Sequence, residues 1–221
     1  IDILGKIDHE NIIKMLTFSK SYPNVYVVLE HGGEELFNLI NENEISNLEK
    51  KNIIKQLLNG ICHLHSKYIV HRDLKLENMV YNFETLKIID FGFAYLYKPD
   101  EPAKNLRAKC GCIQYMAPEL CRCDTLYNGY LADVWSFGIC AFTMLSCRFP
   151  FSIAADTDYN FEFFHMNGLK EFLKRFSGEF TIEEDLVLLL DFVLKETDKR
   201  PYIKNVCSYF DEHVSNTSKS L

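Results

Sequence analysis

Between two short apolar runs, Tyr68-Ile69-Val70 and Met79-Val80-Tyr81, the chain carries a charged stretch, His71-Arg72-Asp73-Leu74-Lys75-Leu76-Glu77-Asn78. A turn follows, then a second strand-like run, Leu86-Lys87-Ile88-Ile89, which ends in Asp90-Phe91-Gly92. A third motif, Ala117-Pro118-Glu119, comes later. Taken one carboxylate at a time, Asp73 caps a turn and Asp90 ends a strand. That reading explains each residue singly and not the ordered set.

The three motifs in this order resemble the catalytic core of the eukaryotic protein kinases: H-R-D-L-x-x-x-N, then D-F-G, then A-P-E. One such motif alone is weak; the conjunction is specific. The resemblance runs from Ile1 to about Phe210 and implies an α+β, protein-kinase-like fold. Most of it is the helical large lobe, over residues 31–213, with residues 1–30 a remnant of the small lobe and 214–221 a disordered tail. The implied reaction is transfer of the ATP γ-phosphate to a serine or threonine hydroxyl of a protein substrate, with ATP and Mg2+ as cofactors. Phosphoryl transfer asks for positioning and charge neutralisation more than covalent work. By resemblance, Asp73 orients the incoming hydroxyl and accepts its proton. Asn78 and Asp90 hold magnesium, and Lys75 touches the transferring phosphate.

The chain has 221 residues, 48% of them hydrophobic, enough for one large domain with a core. No apolar run is long enough to span a bilayer; the best, Leu186 to Leu194, is interrupted by Asp191. The net charge of -7 argues against general nucleic-acid binding and agrees with a basic peptide substrate. No signal peptide opens the chain, and it begins at Ile1, which reads as a fragment or a processed piece. The 8 cysteines include Cys110-x-Cys112 and Cys121-x-Cys123. Zinc sites more often use C-x2-C spacing, so these read as reduced intracellular thiols. A monomer in the cytoplasm or nucleus is expected, with no nucleic acid and no membrane insertion.

In chain order, Ile1 to Leu4 reads as a helix end closed by Gly5. His9-Glu10-Asn11-Ile12-Ile13 resembles the turn after the family's helix C. Ile12–Phe18 and Val25–Leu29 read as paired strands. Glu30-His31-Gly32-Gly33 resembles the hinge, or is an ordinary Gly-rich loop. As a hinge it implies that Glu30 and an amide near Gly32 meet adenine, with Leu29 as gatekeeper and Val80 closing the pocket from below. Ser46-x-x-Glu49 is a capping box that opens a helix with Ile53, Ile54, Leu57, Leu58, Ile61 and Leu64 on one face. His63 and His65, on its last turn, read as packed or capping residues. Asp133-Val-Trp135 resembles the start of a buried helix that ends before Pro150. Asp156 to Phe176 reads as a further helix and its approach. Thr181-x-x-Glu184 is a second capping box, ahead of Leu186 to Leu194. Pro201 suits the first turn of the last helix.

The resemblance implies structural roles too. Asp133 anchors the backbone of His71 and Arg72, and Arg200 pairs with Glu119. Leu4, Met15, His71 and Phe91 stack across the lobes, and Gly92 completes the D-F-G turn. Glu35 and Glu77 match positions that read arginines before the phosphoacceptor, or they are solvated surface charge. Phe93 resembles that of serine-preferring kinases. Cys112 stands where a threonine hydroxyl usually bonds the catalytic Asp and Lys, which implies lower activity or an oxidisable thiol. No Ser or Thr lies between Asp90 and Glu119, and Ala108 takes the place of the usual phosphothreonine. Asp100 or Glu101 is the candidate fixed charge for Arg72. Met116-Ala-Pro-Glu and the hinge exit resemble the calcium/calmodulin-dependent group, of checkpoint and AMP-activated type. The Gly-rich loop and V-A-I-K lysine are not in these residues, so the 221 residues alone are expected to transfer no phosphate. The competing reading is a catalytically inactive binding or scaffold module. The presence of Asp73, Lys75, Asn78 and Asp90 together favours the enzyme.

Overall fold

The computed structural model describes residues 1–42, 44–122 and 126–215. It opens with a 3-10 turn, Leu4–Lys6, and not with a helix end. Gly5 lies inside this turn, where a Cβ would stand 3.2 Å from Met15 Cε. The next segment is docked on the large lobe. Asn11 is buried, and its Nδ2 donates to Leu86 O (3.1 Å) and Gln56 Oε1 (2.9 Å). Ile12 bridges Ile88, and Ile13 N donates to Ile88 O at 3.0 Å. This docking delays the strand expected from Ile12: β1 is Met15–Ser21. It pairs antiparallel with β2 (Asn24–Leu29). Phe18, Val25, Val27 and Leu29 are exposed, whereas Ile12 is buried.

β3 (Glu34–Glu35) leads into α1 (Leu36–Asn41) and then α2 (Asn47–Ser66). The capping box of α2 forms: Glu49 N donates to Ser46 Oγ (3.3 Å) and Ser46 N to Glu49 Oε2 (3.0 Å). Its apolar stripe, Ile53 to Leu64, is fully buried. β4 (Ile69–Val70) precedes the charged stretch, and β5 (Met79–Tyr81) and β6 (Leu86–Ile88) follow it. β3, β5 and β6 make one antiparallel sheet. Gly32-Gly33 enters this sheet where a side chain has no room. A Cβ on Gly32 would stand 2.4 Å from Val80 Cγ2, and Gly33 has φ 110° with Tyr81 O in the way.

β7 (Tyr95–Leu96) pairs with β4, and β8 (Lys104–Leu106) with β9 (Tyr127–Asn128). Between β8 and β9 lies α3 (Pro118–Cys121). The central helix, α4 (Gly129–Ser146), is buried almost all round. It begins before Asp133, because Asn128 Oδ1 accepts from Tyr130 N (3.0 Å) and Leu131 N (3.4 Å). It ends at the left-handed Cys147 (φ 56°), ahead of Pro150. α5 (Tyr159–Lys174) is interrupted at Gly168 (φ 79°).

α6 (Glu184–Val193) does not use the expected Thr181 cap; its N-cap is Glu183, without a side-chain bond. The acidic groups there turn instead to Lys51 on α2, at 2.7 Å from Asp185 and 3.4 Å from Glu183. α7 (Ile203–His213) starts after Tyr202, so Pro201 falls outside its first turn. Val214, expected to open the tail, is buried. The remainder of that tail, 216–221, and Cys123 lie outside the described residues. Among the described residues no helix is long and apolar enough to cross a membrane.

Candidate active site

The loop between β4 and β5 takes its shape from one buried carboxylate. Asp133, on α4, accepts from His71 N (2.8 Å) and Arg72 N (2.9 Å), and holds Arg72 at φ 70°. A left-handed arginine is disfavoured unless its surroundings fix it. His65 Nε2 also reaches Asp133 Oδ2 at 3.0 Å. No local pattern marks this contact, since the two residues lie on separate helices. His63, on the same turn, packs instead against the His9 ring, tilted at 35° with centroids 4.7 Å apart.

The His71 ring is buried and joins its own loop to the segment just after β6. Nδ1 accepts from Asp73 N (3.3 Å), so Nε2 carries the proton donated to Ile89 O (3.0 Å). Burial holds this imidazole below its ordinary pKa and favours that neutral form. Phe91 meets the His71 ring edge-on, with centroids 5.0 Å apart. His71 and Phe91, two of the four residues expected to stack, are thus in contact, with Asp133 at the base.

Asp73 is buried and its carboxylate is gripped on both oxygens. Oδ2 accepts from Asn78 Nδ2 (2.9 Å) and lies 3.3 Å from Lys75 Nζ. Oδ1 accepts from Cys112 N (3.1 Å). Burial opposes the Lys75 charge, but the Asp73 carboxylate outweighs it and raises the Lys75 pKa. The Cys112 thiol turns away, to Gln114 Oε1 (3.0 Å). The backbone amide thus makes the contact with Asp73 that the resemblance gave to a threonine hydroxyl. Gly111 (φ 98°) makes this possible: a Cβ there would stand 2.7 Å from Arg72 O and 3.2 Å from Asp73 Oδ1. Gly111 was not singled out from the sequence, although its place in Cys110-Gly-Cys112 was the available signal.

Asn78 and the Asp-Phe-Gly turn are neighbours through the backbone, since Ile89 N donates to Asn78 O at 3.0 Å. Asp90 is exposed at φ 58°, and its Oδ1 accepts from Gly92 N (3.0 Å). Asn78 spends its amide on Asp73. Among the described residues, Asn78 Oδ1 and Asp90 Oδ2 are left as free oxygen acceptors, the hard donors that magnesium takes. The residues present therefore fit a divalent cation carrying phosphate.

Of the hinge residues, Gly32 and Val80 are in contact. Glu30 is tied off by Lys87 Nζ (2.9 Å) and Lys14 N (2.8 Å). Burial pushes its pKa up, but these partners outweigh that and hold it below the usual value. Leu29 ends β2 and is exposed. Glu35 is half-buried at the start of α1, which packs on the turn Leu76–Asn78. Glu77 Oε2 accepts from the buried Tyr115 hydroxyl at 3.0 Å.

Glu119 and Arg200 pair as expected, in bidentate form at 2.7 and 3.0 Å. The fixed charge expected for Arg72 is not supplied by Glu101. That carboxylate is taken by the Tyr95 hydroxyl (2.6 Å) and Lys98 N (2.8 Å), while Arg72 Nη2 donates to Ala108 O (2.8 Å).

Residues 1–209 match the family described as Protein kinase domain. CBL-interacting protein kinase 33 of Oryza sativa subsp. japonica is 34% identical over 154 residues, covering 68% of this chain and 34% of the relative. CBL-interacting serine/threonine-protein kinase 24 of Arabidopsis thaliana is 35% identical over 155 residues, covering 69% of this chain and 34% of the relative. The chain belongs to the protein kinase domain family. It spans about a third of the length of these curated relatives.

Proposed function

We propose that this chain is catalytic-domain sequence of a serine/threonine protein kinase, acting on serine in a basic context. The carrying observation is the Asp73 carboxylate, fixed by Asn78, Lys75 and the Cys112 amide beside the open oxygens of Asn78 and Asp90. Asp73 orients the acceptor hydroxyl and takes its proton as the phosphate is transferred. Lys75, 3.3 Å from Asp73, would reach the transferring phosphate. Asn78 and Asp90 would hold Mg2+, which when bound would supply charge neutralisation to the ATP phosphates. The Glu30 backbone and an amide near Gly32 would meet adenine, with Leu29 at its back and Val80 closing the pocket from below. The domain division is residues 1–30 and 31–213, now with Val214 added to the larger lobe.

For the substrate, Glu35 and the free oxygen of Glu77 face basic residues preceding the acceptor. Full-length protein assayed with radiolabelled ATP on a peptide array is expected to favour serine peptides with upstream arginines. A preference for acidic or proline-directed sites would sink this reading.

Two more results are expected. Cys112→Thr adds a hydroxyl beside Asp73 and Lys75. One hydrogen bond to a charged group is worth about 1.5–3 kcal/mol, so even partial use in the transition state raises kcat roughly 3-fold or more. An unchanged or lower kcat would mean that the amide contact already suffices. Arg72 Nη2 is held by Ala108 O, and no Ser or Thr lies between Asp90 and Glu119, so activation is expected without an activation-segment phosphate. Phosphatase treatment should leave activity unchanged; loss of activity traced to Tyr95, Tyr97 or Tyr115 would refute this.

A further inference from the structure

Away from the catalytic loop, two cysteines from different helices meet. Cys62 lies on α2 and Cys207 on α7, and these helices pack along each other. Cys207 Sγ is 3.8 Å from Leu58 O, the carbonyl one helical turn before Cys62. Leu58 O is the carbonyl that the Cys62 amide faces along α2, so the Cys207 thiol sits beside Cys62. Both are free thiols.

The two differ in access. Cys62 lines a cavity of about 430 Å³ whose wall also carries Lys98 and Lys204. Cys207 lies behind it. Burial first, and then the Cys62 thiol, push the Cys207 thiol up to about 12. It therefore stays protonated while its neighbour is a thiol.

We propose that Cys62 and Cys207 are a dithiol that a small-molecule disulfide, such as oxidised glutathione, converts into an intramolecular bridge between α2 and α7. Cys62 loses its proton to solvent and attacks one glutathione sulfur. The glutathione S–S bond breaks, a Cys62–glutathione disulfide forms, and one glutathione thiolate leaves and is protonated. Cys207 gives up its proton to solvent as it attacks the Cys62 sulfur, displacing the second glutathione thiolate, which is protonated in turn. Two protein thiols are oxidised and one glutathione disulfide is reduced to two glutathiones. Contact between the two cysteines makes the second step intramolecular, which favours closure over a persistent mixed disulfide. The bridge joins the last helix to the end of α2 that carries His65, the residue bonded to Asp133.

The test incubates full-length protein with oxidised glutathione, alkylates the remaining thiols, and maps the digest by mass spectrometry. The expected product is a Cys62–Cys207 linked peptide that disappears on reduction. A bridge across so long a loop constrains the unfolded chain, so Tm should rise by roughly 5–10 °C. Cys207→Ser should stop at the Cys62–glutathione adduct, and Cys62→Ser should leave Cys207 unmodified. The exposed Cys147 reports that the oxidant has reacted. The proposal is overturned if Cys147 is modified while Cys62 and Cys207 both remain alkylatable. It is equally overturned if the Cys62–glutathione adduct persists in the wild type, or if the bridges formed join other cysteines. The wild-type map decides between these outcomes even where a serine variant fails to fold.

Discussion

Asp73→Asn lowers kcat for peptide phosphorylation by about 10²–10⁴-fold, the usual contribution of a positioned general base. The substitution keeps the size and shape of a side chain that is only 6% exposed. It removes the proton acceptor and the negative charge facing Lys75 at 3.3 Å. It also sets an amide NH2 against one of two donors, Asn78 Nδ2 or Cys112 N, which both now point at carboxylate oxygens. ATP is held by other groups in the proposed site, so its KM should change little. The measurement is steady-state kinetics of the full-length protein on the preferred serine peptide, with thermal unfolding followed in parallel. Activity within tenfold of wild type would remove Asp73 from the role assigned to it. A collapse in Tm together with activity would instead mean that Asp73 matters here for holding the loop.

The parts of this site that could be read in the sequence are those whose partners follow a motif. The Asp73, Asn78 and Asp90 groups come from strand–loop–strand segments close in the chain, and the Ser46/Glu49 cap is a local pattern. The Glu119–Arg200 pair was legible only through the family resemblance, because no local rule joins residues so far apart. Tertiary competition explains most of the departures. Thr181 has the spacing of a cap, but α6 begins two residues late, with Glu183 and Asp185 drawn to Lys51. Asn128 captures the first amides of α4 and so moves its start ahead of Asp133. Ile12 has the look of a strand residue, yet it bridges Ile88 and is buried before β1 begins. His65 and Gly111 had no partner visible in sequence. One completes the Asp133 cluster, and the other lets the backbone of Cys112 close on Asp73.

Arg200→Met destabilises the fold by about 3–5 kcal/mol, because it removes one member of a buried ion pair and leaves the other behind. The Arg200 side chain is fully buried and Glu119 is nearly so, at 0% and 11% exposure. Every face of the guanidinium is used. Nη1 and Nη2 hold both Glu119 oxygens, Nη1 also donates to Leu131 O (2.8 Å), and Nε donates to Lys195 O (3.0 Å). The plane lies 5.0 Å from the Trp135 ring centroid, a cation–π contact in a desolvated setting. Methionine keeps much of the volume, so the loss reflects the charge and its hydrogen bonds more than a cavity. For a chain of this size the change corresponds to a fall in Tm of roughly 10 °C. The pair also fastens α3 to the start of α4, so the segment that carries Gly111 and Cys112 should loosen and kcat should fall as well. The check is a double-mutant cycle with Glu119→Gln, read by denaturant unfolding. Arg200→Met combined with Glu119→Gln should recover part of the loss, since the neutral amide tolerates burial without its partner. A single-variant loss under about 1 kcal/mol would place the pair among the weak surface bridges, and additive single losses would show that Arg200 acts through the Leu131 and Lys195 carbonyls and not through Glu119.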